Sequence, residues 1–221
     1  MPYKKRSNAK KSVAKYIRKN PPLYKSVSNV PAFSDGAMPK QFKTQMSYVG
    51  TITGSTTTVP NQRVYRANDL FDPDYTGTGH QPRGFDQLMA FYNHFVVTSS
   101  KITVTCHVAV DDDPVNLGIG LFDDATWTPA SIVWPENPRM KTVMLNGRGG
   151  TVPKLTNRFN LQKFFGVTSP LQATQFQGQA GSGPTELAYY HIVMETLPQA
   201  TVKAYRYQVR IDYDVVLLGP K

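Results

Sequence analysis

The stretch that decides the fold is residues 205–217, YRYQVRIDYDVVL. Tyrosine and aliphatic side chains occupy every second position from Tyr205 to Leu217. The intervening positions between Tyr205 and Val215 hold Arg206, Gln208, Arg210, Asp212 and Asp214. Successive side chains of a β-strand point to opposite faces, so this alternation predicts a strand with one buried face and one wet face.

Working outward, the same period of two recurs at 42–53 and 101–110, where Lys43 and Lys101 fall on the wet faces. Five further strands are predicted, at 63–70, 116–122, 140–145, 156–164 and 187–195. Only Gly84–Phe95 has apolar residues at helical spacing. Eight strands and one short helix after the second strand predict an all-β chain, a single eight-stranded jelly roll formed by a two-sheet antiparallel sandwich.

The net charge is concentrated at the N-terminus. Residues 1–43 carry the whole formal charge of +10, and residues 44–221 are neutral overall. We therefore divide the chain into a basic arm with a Pro-rich connector, 1–41, and a folded domain, 42–221. A like-charge block binds polyanions through counterion release. The predicted nucleic-acid-binding residues of the arm are Lys4, Lys5, Arg6, Lys10, Lys11, Lys15, Tyr16, Arg18, Lys19 and Lys25.

Other interpretations of the arm stay open: a nuclear-import signal, a solvated tail, or attachment to a membrane surface. No apolar run is long enough for a membrane span. The N-terminus also lacks the apolar segment of a secretory signal.

The sequence contains no recognisable catalytic motif. The four histidines are scattered, and Cys106 alternates with core positions. We predict no enzyme, no catalytic residue, no cofactor and no metal site. Calcium at the acidic runs 111–113 or 123–124 is the minority alternative.

One segment goes beyond a generic sandwich. Residues 69–88, DLFDPDYTGTGHQPRGFDQL, are followed by YNHF at 92–95 and SKI at 100–102. This pattern resembles capsid proteins of circular, Rep-encoding single-stranded DNA (CRESS-DNA, circovirus-like) viruses. The resemblance implies a jelly-roll subunit of a T=1 icosahedral shell, a 60-mer, whose arm packages a single-stranded DNA genome. It implies a location in the virion and, during infection, the host nucleus, with host import and cell-surface receptors as further candidate partners.

In a jelly roll the strands predicted at 42–53, 101–110 and 205–217 are neighbours in one sheet. Their wet faces would then share Lys43, Lys101, His107, Arg206 and Arg210. We predict that this face meets the genome; an ordinary solvated face, partly balanced by Asp212 and Asp214, is the alternative.

Subunit contacts are expected from the segment 127–138, with Trp127 and Trp134, and from the loop 172–185, because tryptophan is enriched in interface cores. The alternative is that both tryptophans belong to the domain core. A non-viral nucleic-acid-binding module with a basic tail, and RNA in place of DNA as the packaged polymer, also remain open, because lysine contacts the phosphate that both polymers share.

Overall fold

The computed structural model describes residues 38–56, 59–108, 114–145, 152–196 and 203–221. Two five-residue helices accompany the strands, α1 (Phe85–Met89) and α2 (Leu161–Phe165). The eight strands are β1 (Gln41–Thr56), β2 (Asn61–Arg66), β3 (Tyr92–Val108), β4 (Val115–Phe122), β5 (Met140–Leu145), β6 (Lys154–Asn160), β7 (Tyr189–Thr196) and β8 (Lys203–Pro220).

The strands form two four-stranded antiparallel sheets with jelly-roll connectivity. One sheet has the order β1-β8-β3-β6 and the other β2-β7-β4-β5. The last strand lies between the first and the third, pairing with both along most of its length. The predicted eight-stranded jelly roll is therefore confirmed.

The alternating pattern of β8 supplies a large share of the core between the two sheets. Its odd-numbered side chains from Tyr205 to Leu217 are all buried, whereas Arg206, Gln208 and Arg210 are exposed. Residues 102, 104 and 106 of β3 join the same core cluster. Burial of these apolar faces between the sheets leaves the charged faces outside, as the sequence predicts.

The predicted helix at Gly84–Phe95 is wrong in its second half. Helix α1 ends at Met89, and β3 begins at Tyr92, three residues later. Phe95 pairs with Leu217 in the sheet, and its backbone N–H donates to the Gly178 carbonyl at 2.9 Å. The helical spacing misled because the same apolar residues are buried in either conformation, and pairing with β8 decided between them.

The strand predicted at 156–164 also ends early. β6 stops at Asn160, whose side-chain oxygen accepts a hydrogen bond from the Lys163 backbone N–H at 3.0 Å. This is an N-cap, and it starts helix α2. No helix of the described residues is long and apolar enough to cross a membrane.

Candidate nucleic-acid interface

The outer face of the sheet β1-β8-β3-β6 collects the basic residues predicted from the wet faces. Lys43, Arg206 and Arg210 are exposed, and Lys101 is half-buried on the same face. The register places Ser47, Asp212 and Lys101 in one row across β1, β8 and β3. The structure therefore brings Lys43, Lys101, Arg206 and Arg210 onto a single surface. His107 pairs with Arg206 through the backbone, but its side chain lies outside the described residues.

Strand β6 adds cations that the sequence interpretation missed. Lys154 and Arg158 are exposed on this face, and Arg158 lies directly opposite Lys101. Lys163 of α2 borders a groove on this face together with Lys101, Arg158 and Arg210. Polar residues 154, 156 and 158 alternate with the inward residues 155, 157 and 159, so the signal was present in the predicted strand. What was missing was the pairing of β6 with β3.

Two carboxylates interrupt the positive face. Asp212 accepts hydrogen bonds from Arg210 Nε at 2.8 Å and from Ser47 Oγ at 2.7 Å, and lies 3.9 Å from Lys101 Nζ. Asp214 accepts from Gln45 Nε2 at 2.6 Å and from Ser99. These pairs are partly solvated and neutralise the face only in part. Among the described residues, no carboxylate lies within ion-pair distance of the remaining cations, Lys43, Lys154, Arg158, Lys163 and Arg206.

The arm residues predicted to bind nucleic acid lie outside the described residues. They are Lys4, Lys5, Arg6, Lys10, Lys11, Lys15, Tyr16, Arg18, Lys19 and Lys25. The described chain begins at Met38 and enters β1 at Gln41, beside Lys43. The described chain therefore enters the sheet β1-β8-β3-β6 next to one of its exposed cations.

The segment that carries the resemblance, 69–88, is anchored to the sandwich by polar contacts. Asp74 is buried and ion-paired with Arg63, and it accepts a hydrogen bond from the Thr76 backbone N–H at 3.1 Å. Burial raises the pKa of Asp69, another carboxyl of this segment. His80 Nε2 lies 3.0 Å from the Val49 carbonyl oxygen of β1, where the His80 ring contacts the Tyr48 ring. These contacts give the segment a structural role in covering β1.

The two tryptophans differ in their surroundings. Trp134 is 2% exposed within the single chain, the burial expected from the alternative in which it belongs to the domain core. Its indole N–H donates to Glu195 Oε2 at 2.5 Å. Trp127 is half-buried and stacks on Phe122 with ring centroids 4.4 Å apart. The exposed apolar residues of this segment are instead Ile132 and Val133.

The remaining reactive groups show no catalytic arrangement in the described part of the chain. Cys106 is buried, which raises the pKa of its thiol to about 12 and keeps it protonated. Burial also lowers the pKa of His191, which lies in a cage of Phe122, Trp127 and Gln62.

The acidic run at 123–124 is occupied by local contacts. Asp123 pairs with Arg139 at 3.2 Å. Asp124 accepts two hydrogen bonds from Thr126, which lower the pKa of its carboxyl. Among the residues described, no three His, Cys, Asp or Glu side chains come together as a metal site. The run 111–113 lies outside them.

No protein-family model matches this chain, and no curated protein matches it. Solved structures of viral proteins do match this chain. The BFDV capsid protein, solved as a decamer, shares 10% identity over 80% of this chain and 99% of its own, with a TM-score of 0.45. The structure of tobacco necrosis virus shares 11% identity over 84% of this chain and 86% of its own, with a TM-score of 0.46. The structure of Desmodium yellow mottle tymovirus shares 13% identity over 81% of this chain and 89% of its own, with a TM-score of 0.41.

Proposed function

We propose that this chain is a viral capsid subunit that forms an icosahedral shell and packages a nucleic-acid genome with its basic arm. The observation that carries the proposal is the separation of charge, because residues 1–43 hold all of the net charge and the jelly roll is neutral overall. A neutral sandwich can pack against copies of itself without strong repulsion, while the arm neutralises phosphate. The resemblance of residues 69–88 supports the same function.

The finer features of the proposal are a T=1 shell, a 60-mer, and single-stranded DNA as the genome. All three rest on the resemblance to CRESS-DNA viruses. The lysines that dominate the arm act as point charges on phosphate, which favours packing without sequence recognition. Clusters such as Lys4-Lys5-Arg6 suit a nuclear-import signal in the same segment. No enzymatic activity is proposed.

The contact between subunits is proposed to include Trp127 and its neighbours Ile132 and Val133. Ile132 is 62% exposed and Val133 54% exposed, next to the half-buried Trp127. Apolar side chains of this kind form the buried cores of stable interfaces. Val133→Asp should prevent assembly while leaving the subunit folded, because the side chain points to solvent.

Electron microscopy and sedimentation of the purified full-length chain test the proposal. A uniform shell that contains nucleic acid is the expected result, and sequencing the recovered polymer identifies it as DNA or RNA. A persistent small species that still binds nucleic acid would favour the alternative, a nucleic-acid-binding module with a basic tail. A monomer with no affinity for nucleic acid would contradict both.

A further inference from the structure

Two adjoining grooves cross the outer face of the sheet β1-β8-β3-β6. The first has a volume of about 810 Å³ and is bordered by four cations, Lys101, Arg158, Lys163 and Arg210. The second has a volume of about 650 Å³ and is bordered mainly by amide and hydroxyl side chains. They share Ser99, Asn160 and Asp214, so one ligand can occupy both.

The first groove has an unbalanced charge. Lys101 and Arg158 lie directly opposite each other on β3 and β6, an arrangement that is destabilising for like charges. Of the two carboxylates that border the groove, Asp212 is already engaged with Arg210 and Lys101. Arg158 and Lys163 have no carboxylate within ion-pair distance in the described part of the chain. An anion bound in the groove would relieve the repulsion between Lys101 and Arg158.

The second groove offers hydrogen bonds in place of charge. Its border includes three glutamines, Gln41, Gln162 and Gln172, with Asn160 and the hydroxyls of Thr44, Thr98, Thr168 and Ser169. Groups of this type bond to the Watson–Crick edges of nucleobases, and those edges are accessible only when the bases are unpaired. Among the described residues, no aromatic side chain borders this groove, so recognition by those residues would use hydrogen bonds and not stacking.

We propose that these grooves form a binding site for single-stranded nucleic acid on the folded domain. Backbone phosphates lie on the cations of the first groove, and an unpaired base or its sugar occupies the second. Lys43 and Gln41 border the second groove at the start of β1, so the site lies where the arm joins the domain. The inference rests on the proposed packaging function and assigns part of it to Arg158 and Lys163.

The test compares two double variants of the full-length chain that lose the same charge. Arg158→Gln with Lys163→Gln changes the groove. Arg83→Gln with Lys141→Gln changes exposed residues that border neither groove. Binding of a labelled single-stranded oligonucleotide is measured between roughly 0.05 and 0.3 M salt. In this range the Debye length, the distance over which salt screens charges, is on the order of 10 Å.

Two lost phosphate contacts should reduce the slope of log affinity against log salt by about 1.4, using roughly 0.7 per contact with a single strand. This corresponds to an affinity about 25-fold lower at 0.1 M salt. The control double variant should stay close to the wild type. A duplex of the same sequence should bind both double variants equally.

The outcomes separate the two proposals. If the groove and control variants bind the single strand equally, the groove site is refuted while packaging by the arm stands. If the groove variant weakens binding of the duplex as much as binding of the single strand, the site binds phosphate only. The proposal that an unpaired base or its sugar occupies the second groove then fails. If the wild-type chain binds no single strand, the proposed function itself fails. Circular dichroism of each variant confirms that the exposed substitutions leave the fold unchanged.

Discussion

The side chain of Glu195 holds the turn that precedes Trp134, and its removal should destabilise the domain. The residue is 3% exposed. It accepts hydrogen bonds from the Trp134 indole at 2.5 Å, from the Ile132 backbone N–H at 3.2 Å and from the Ser131 hydroxyl. Trp134 in turn covers Met140 and Val193 in a small second core cluster. Glu195→Ala removes all three acceptor contacts at once.

The expected cost follows from these contacts. A hydrogen bond to a charged group contributes about 1.5–3 kcal/mol net, and a buried donor left without an acceptor costs about 1–3 kcal/mol. Because Ser131 is an exposed residue, we count mainly the indole and the Ile132 N–H. Glu195→Ala should therefore lower the free energy of unfolding by about 3–5 kcal/mol. Glu195→Gln keeps one oxygen in place and should cost about 1–2 kcal/mol.

Urea unfolding and thermal melting of the full-length variants measure these differences. One kcal/mol corresponds to about 2–4 °C in a chain of this size. Glu186→Ala is the control, because its side chain is exposed and should change stability by less than about 0.5 kcal/mol. A cost below about 1 kcal/mol for Glu195→Ala would refute the assignment of Glu195 as the anchor of this turn.

Three further predictions concern the domain. Burial lowers the pKa of His191, so as the pH falls the unfolded chain binds a proton before the folded chain does. The free energy of unfolding should therefore fall as the pH drops below about 6.5. His191→Gln should flatten this part of the curve of stability against pH, and an unchanged curve would contradict the assignment. A Cβ at Gly118 would lie 2.7 Å from Met140 Cε and closer still to Trp134, so Gly118→Ala should cost about 1–3 kcal/mol in chemical denaturation. Gly181→Ala meets no atom within 4 Å and should be nearly neutral; equal effects at the two sites would argue against the packing described. Ile132 has a φ of 68°, which a β-branched residue rarely adopts, so Ile132→Asn should raise the unfolding free energy by about 1 kcal/mol. Val133→Asn, at a φ of −92°, should give no such gain in the same melting assay.

The sequence predicted the sheets better than the helices. The period-two patterns at 42–53, at 101–106 and at 205–215 extend over several residue pairs, so one wrong position does not change the interpretation. Helix α1 has five residues, too few for periodicity to define its end. Helix α2 was missed because Leu161, its first residue, continues the alternation of β6. Only the Asn160 cap separates the two elements.

The candidate site was predictable strand by strand but not across strands. Lys101, Arg206 and Arg210 were found because each alternates with buried neighbours in its own strand. The proximity of Arg158 to Lys101 depends on the register between β3 and β6, which no local pattern specifies. Trp134 shows the same limit, because its burial depends on a contact with Glu195, 61 residues away.

The central claim is that the arm supplies most of the affinity for nucleic acid while the jelly roll folds without it. The direct measurement is the salt dependence of single-strand binding for the full-length chain and for a chain that lacks residues 1–25. Nine lysines and arginines lie in that segment, so the arm should contribute a log–log slope of about −6, using roughly 0.7 per phosphate contact. We expect the shortened chain to keep its melting temperature and to lose that part of the slope. Equal slopes for the two chains, or a shortened chain that does not fold, would contradict the account.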